Sequence, residues 1–262
     1  MVITKKLAAG LIVVTMAMGV AQAAIIKTKI AYGADNATNA HHAFLEGSFS
    51  FITEDFNTAS NLGLASFVGQ DTGNDGLSWI DSATSYNTRV GTFTIASGDG
   101  DIAAPTAENP HNLMIESSDT GEFGRQTDGV DGDRLVTDFW LDSNDATEVS
   151  WNFSGIGASF DSLGFFIVDA NDSNAQLQLN FLDGTNALVD VLKLANPLSN
   201  GNIAYISLFS SEALLGASLI FENNGRNDGW AIDNVTVAKV PEPTAIAILG
   251  LGLISLFAMR KR

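Results

Sequence analysis

From Gln176 to Phe181 the chain alternates strictly: Leu177, Leu179 and Phe181 fall on one face of an extended segment, and Gln176, Gln178 and Asn180 on the other. A period of two marks a half-buried β-strand. Asp183-Gly184 follows as a turn, and the apolar return over 188–194 completes a hairpin pattern. The same reading predicts strands at 48–53, 90–96, 137–141, 148–153, 162–168, 204–209, 217–221 and 230–237. Between the chain ends no stretch shows a long amphipathic helical period. Residues 212–217 suit one short helical turn, and 36–43, which carry His41 and His42, read as a mobile segment. Many short strands separated by Gly, Asp and Asn clusters predict an all-β fold, a jelly-roll-like β-sandwich in one domain.

The two ends break this pattern. Lys5 and Lys6 precede an uncharged, mostly apolar run from Leu7 to Val20, and Ala21-Gln22-Ala23 closes it with small residues in an A-x-A arrangement. Basic start, short apolar run and small-residue exit, in that order, predict a removable signal peptide over 1–23 with cleavage governed by Ala21 and Ala23. At the other end, Pro241-Glu242-Pro243 leads into an apolar run over 244–259, then Arg260-Lys261-Arg262. Sixteen residues make a helix of about 24 Å, slightly short of a ~30 Å bilayer core, so thinning or snorkelling of the basic end completes the span. The basic end stays cytoplasmic, which leaves the domain across the membrane. Pro241 and Pro243 hold the Glu242 backbone extended, the form a processing enzyme grips.

Pro241-Glu242-Pro243, the glycine-bearing apolar run and the final Arg-Lys-Arg together resemble the PEP-CTERM sorting signal of Gram-negative bacteria. The resemblance implies cleavage near the Pro-Glu-Pro by exosortase, a membrane transpeptidase-like enzyme, in species that make extracellular polysaccharide. It covers about the last 22 residues. Short interior stretches, Gly121-Glu-Phe-Gly-Arg125, Trp140-Leu-Asp-Ser-Asn144, 163–172 and 227–237, also look like segments of other PEP-CTERM proteins, and the last resembles the closing strand of many carbohydrate-binding jelly rolls.

Composition sharpens this picture in three ways. There is no cysteine, which removes disulfides, thiolate metal sites and thiol nucleophiles together. With Lys5, Lys6 and the three terminal basic residues set aside, eight basic residues stand against 30 acidic ones, a net of −22. Such a surface repels nucleic-acid phosphates and anionic headgroups and attracts divalent cations, so nucleic acid is not an expected partner. The acids also gather in loops, Asp128 to Asp133 and Asp169 to Asn174, with looser groups at Asp71, Asn74, Asp75 and at Asp99, Asp101. Closely spaced oxygen ligands suit calcium, although no loop has the EF-hand spacing and the same residues also make turns.

Asp233 is a sharper case. Alternation over 230–237 places it with Ala231, Val235 and Val237 on one face, opposite Trp230 and Ile232. A carboxylate on an apolar face needs a partner. One reading is a structural calcium between the last strand and an early loop, with Glu54, Asp55 and Asp233 as ligands. The other is an Asp hydrogen-bonded within a bulge, helped by Asn234.

Sugar binding uses exposed aromatics. Trp79, in the polar stretch Gly76 to Asp81, is the candidate glycan platform, whereas Trp140, Trp151 and Trp230 lie in predicted strands and belong to the core. A catalytic set is missing. His41, His42 and His111 have no zinc-ligand spacing, Gly157-Ala-Ser159-Phe-Asp161 lacks the last glycine of a nucleophile elbow, and 30 acids always permit some carboxylate pair. The resulting expectation has three parts: signal peptide 1–23, extracellular domain 24–239 and sorting signal 240–262. It describes a non-catalytic protein, exported, transiently anchored in the inner membrane and sorted by exosortase to the surface or matrix, where it associates with exopolysaccharide in biofilm. A polysaccharide hydrolase or lyase on the same fold, or a purely structural surface protein, are the alternatives.

Overall fold

The computed structural model describes residues 24–64, 80–98, 113–117, 139–143, 146–156, 159–168, 176–181, 184–190, 203–221 and 230–240. In chain order the elements are β1 (Ile26–Tyr32), helix α1 (Ala34–Glu46), β2 (Ser50–Glu54), a short 3₁₀ turn (Ala59–Leu62), β3 (Asp81–Ala83), β4 (Ser85–Thr88), β5 (Gly91–Gly98) and β6 (Leu113–Ser117). They continue with β7 (Phe139–Ser143), β8 (Ala146–Asn152), β9 (Phe160–Val168), β10 (Gln176–Phe181), β11 (Asn186–Asp190), β12 (Ile203–Ile220) and β13 (Trp230–Lys239). The all-β expectation holds, with one helix added to it.

All described strand pairs are antiparallel and belong to one sheet, in the order β3-β6-β7-β13-β9-β12-β8-β5-β4. The sheet branches at two strands. β2 shares one edge of β13 with β7, and β1 and β10 take successive halves of one edge of β12. The first half of β12 pairs with β1 and β9, and the second with β10 and β8, so this 18-residue strand carries the sheet around the core. Residues 212–217, expected to turn, continue the strand instead. Their neighbours 204–209 and 217–221 are one element because Gly216 and Ala217 pair with Asn152 and Trp151 across the junction.

The main core lies inside the folded sheet. Leu163, Phe165 and Ile167 of β9, Ala204, Ile206 and Leu208 of β12, and Leu177, Leu179 and Phe181 of β10 all point into it, as period-two alternation demands. Trp151 is stacked on Phe93 with ring centroids 5.0 Å apart and meets Phe153 edge-on at 4.8 Å; its Nε1 donates to Val90 O at 2.9 Å. Trp230 stacks on Phe221 at 4.4 Å. Trp140, Trp151 and Trp230 are all buried, as the strand pattern predicts.

The opposite face of β9, β12 and β13 is covered by α1, over a segment that had read as mobile. The helix presents Ala37, His41 and Phe44, with Ala40 and Leu45 at the margin, to Phe166, Tyr205 and Ala238. Ala37, His41 and Phe44 make an i, i+4, i+7 stripe, but its members are one alanine, one histidine and one phenylalanine, so its apolar signal is faint. Gly164 admits the helix. A Cβ there would collide with the Tyr205 hydroxyl and crowd the Phe44 ring. Gly33, at φ +81°, makes the turn from β1 into α1, a conformation glycine adopts without steric cost.

Candidate functional site

The carboxylates expected to hold calcium are placed by one irregularity. Between Asp233 and Thr236 the pairing of β13 with β9 shifts by a residue, and Asn234 sits at φ +47°. This is a β-bulge, and a bulge reverses the alternation beyond it. Ile232 therefore faces the main core, and so do Val235 and Val237. Asp233 pairs with Phe166, whose ring packs under α1. Asp233 thus lies opposite Val235 and Val237 rather than beside them, which corrects the face assigned by simple alternation. Its Oδ1 accepts the Asn234 N–H at 2.6 Å and Oδ2 accepts from Asn234 Nδ2 at 3.3 Å, the bulge arrangement anticipated from the sequence.

Glu54 goes the other way. It pairs with Val235, so its side chain enters the main core, where it is fully buried. Oε1 accepts the Phe56 N–H at 2.9 Å and Oε2 the Arg89 N–H at 3.0 Å. Burial raises its pKa above the usual carboxylate value, and the two backbone N–H groups pull it back only in part. Asp55 accepts the Asn57 N–H at 3.2 Å, capping the turn that leads away from β2. Glu54 and Asp233 project from opposite faces of the sheet, so Glu54, Asp55 and Asp233 do not form one ligand set. Among the described residues no three His, Cys, Asp or Glu side chains gather to hold a metal ion.

Two further buried carboxylates had no signal strong enough to single them out. Glu116 pairs with Trp140, and Asp142 with Met114 on one side and Ala231 on the other, which puts both on the Asp233 face. Both are buried and both are engaged by other groups. Their only trace in the sequence is an acid followed by a serine at the end of a short apolar run, Glu116-Ser117 in β6 and Asp142-Ser143 in β7. Trp79, the glycan platform candidate, lies outside the described residues, as do Ala21, Ala23, Pro241, Glu242, Pro243, Arg260, Lys261 and Arg262. Among the described residues no helix is long and apolar enough to cross a membrane, and the run 244–259 is not among them.

The root of the tail is well defined. β13 is paired on both sides down to its last residues: Ala238 with Ser162 of β9 and Phe51 of β2, and Lys239 with Ser50. The Lys239 carbonyl accepts the Phe49 N–H at 2.8 Å, and the Val240 N–H donates to Asp161 Oδ1 at 3.1 Å. Strand pairing and hydrogen bonding thus reach Val240, the residue directly before Pro241 in the sequence.

A globular domain that delivers a Pro-Glu-Pro segment and an apolar run from its last strand has the layout of an exported precursor sorted by its C-terminus. Residues 239–262 match the PEP-CTERM protein-sorting motif, so the chain is a PEP-CTERM sorting domain-containing protein. The motif implies export, a transient membrane-anchored state and processing by exosortase. No curated protein and no solved structure matches the chain.

Proposed function

We propose that this chain is a non-catalytic cell-surface or extracellular-matrix protein that associates with extracellular polysaccharide in biofilm. The observation that carries the reading is the sorting motif at 239–262, joined without a linker to the last strand of the domain. In this reading residues 1–23 are a signal peptide cut after Ala23, and 24–239 form a jelly-roll-like sandwich. The helix 244–259 holds the precursor in the inner membrane with Arg260 to Arg262 on the cytoplasmic side. Exosortase cuts near Pro241-Glu242-Pro243 and releases the domain to the surface or beyond. The branched, all-antiparallel sheet wrapped around one core supports the sandwich. Trp79 is the proposed sugar platform, and the closely spaced oxygen ligands of the acidic loops at 128–133 and 169–174 suit calcium.

Two measurements test this. Mass spectrometry of the mature protein from an exosortase-bearing host should find a C-terminus near the Pro-Glu-Pro; retention of Arg260 to Arg262 would refute processing. The secreted domain should bind the host's own exopolysaccharide saturably, with no product released and with loss in EDTA. The second reading, a purely structural surface protein, is favoured by the burial of Trp140, Trp151 and Trp230, which leaves none of them to face a sugar. Absence of binding to any glycan would select it.

A further inference from the structure

The register carries one row of residues across the sheet: Ile26 pairs with Ser210 of β12 and Lys239 of β13 with Ser50 of β2, while the β12–β9–β13 pairing brings Ser210 and Lys239 to the same end. β1 starts at this end and β13 finishes at it. Ile26 and Lys239 are three strand spacings apart, about 14 Å. Three of the four large hydrophobic residues exposed among the described ones lie along this end, with Ile25 four strand spacings, about 19 Å, from the two phenylalanines of the β2 side. Ile25 is 54% exposed and precedes the row, Phe49 is 80% exposed and hydrogen-bonded to Lys239, and Phe51, 47% exposed, pairs with Ala238. Leu215, the fourth, lies five residues further along β12, beyond the row. Scattered exposed apolar residues need no explanation, but their concentration at one end does.

The length of chain below that end identifies what covers it. Three residues, Pro241 to Pro243, separate Val240 from the apolar run at Thr244. Extended, the four steps reach at most about 14 Å, and the headgroup layer on each side of a bilayer core is itself ~5–7 Å thick. The row at which β13 finishes is therefore held close to the headgroups whenever the run spans the bilayer. Charge agrees with a zwitterionic surface. Lys27 and Lys239 lie at or beside the row, against Glu46, Glu212 and Asp161, whose Oδ1 is already taken by the Val240 N–H and the Ser162 hydroxyl.

We infer that Ile25, Phe49 and Phe51 form a foot that seats the anchored precursor on the outward-facing lipid headgroups, with the Pro-Glu-Pro held between foot and membrane. The inference rests on the reading that residues 244–259 span the bilayer. The partner is the phospholipid surface itself; phenylalanine and isoleucine beside lysine suit the headgroup boundary.

The chain has no cysteine, so single labels are clean. The secreted chain with its tail intact is reconstituted into phosphatidylcholine vesicles, with an environment-sensitive dye at Ser50→Cys or at Ala34→Cys, the far end of α1. The foot requires that lipid-borne quenchers reach the dye at position 50 severalfold more strongly than at 34, and that Phe49→Ser with Phe51→Ser lowers the quenching at 50 at unchanged Tm, because the tether alone keeps position 50 near the headgroups without seating it among them. A chain that co-floats with vesicles while both labels stay in water overturns the foot and leaves the anchor standing. Failure to co-float overturns both. A dry label that becomes wet on dilution to one chain per vesicle assigns the patch to a second copy and overturns the lipid assignment.

Discussion

Inside the main core, buried polar groups have partners: Trp151 Nε1 donates to Val90 O, the Tyr86 hydroxyl to Asp81 Oδ2 at 2.8 Å, and Glu54 accepts two backbone N–H groups. Among the described residues, Trp230 Nε1 is an exception on that side. Across the sheet, under and beside α1, Thr38 Oγ1, the Tyr205 hydroxyl and Trp140 Nε1 are buried without a hydrogen bond. A buried group lacking a partner lowers the stability of whatever layer covers it. The difference teaches that the inner face determines the fold, whereas α1 is a cover held by ring contacts, such as Phe44 with Phe209 at 5.6 Å, and by the cleft at Gly164. The cover should open before the core does.

The largest effect expected is at Trp151. Trp151→Ala removes the stacking on Phe93 and the bond to Val90, and chemical denaturation should show a loss of about 3–5 kcal/mol. An effect below half of that would mean the inner face does not dominate. Glu54→Gln comes next. The amide NH₂ cannot accept, so one buried backbone N–H loses its partner, at about 1–3 kcal/mol. The pH dependence has a definite sign. The folded-state pKa of Glu54 is raised, so folded protein holds this proton to a higher pH than unfolded chain does. Its ionisation cost is absent below the ordinary value of 4.5 and is fully present above the folded pKa. The wild-type advantage over Glu54→Gln should therefore narrow as pH rises through that window.

A matched pair of hydroxyl deletions compares the faces directly. Tyr86→Phe strips Asp81 of a donor and should cost about 1 kcal/mol, whereas Tyr205→Phe removes a group with no partner and should be neutral within about 0.5 kcal/mol. Equal losses would erase the distinction between the faces. The smallest signal is spectroscopic. The chain has three tyrosines, and burial raises Tyr86 and Tyr205 far above the usual range, with the hydrogen bond to Asp81 adding to Tyr86. Tyr32 is raised too, but it is only partly buried. Phenolate absorbance should show one tyrosine titrating reversibly and the other two ionising only as alkali unfolds the protein.

What was legible in the sequence followed the strength of local alternation. β10 was read to the residue because Leu177, Leu179 and Phe181 alternate with amides without interruption. β1 is harder to read although Ile26, Thr28, Ile30 and Tyr32 alternate as clearly, because two lysines interrupt the apolar impression. α1 is not legible because a stripe of one alanine, one histidine and one phenylalanine becomes apolar only once Phe166 and Tyr205 are there to meet it. Glu54 and Asp233 part for another reason. Periodicity assumes a regular strand, and a single residue, Asn234, turned Glu54 and Asp233 to opposite faces. The sorting tail was readable because its chemistry is linear: it functions as a string, before any folding partner is needed.

The pinning of Val240 also has a mechanical meaning. Tension along the tail pulls β13 along its own axis, with β9 on one side and β2 and β7 on the other. In that geometry the ladder hydrogen bonds are sheared together rather than peeled one after another. A domain tugged by its tail at the cell envelope therefore resists as a riveted joint does, and the strand leading to the cut site stays seated while the load is on it.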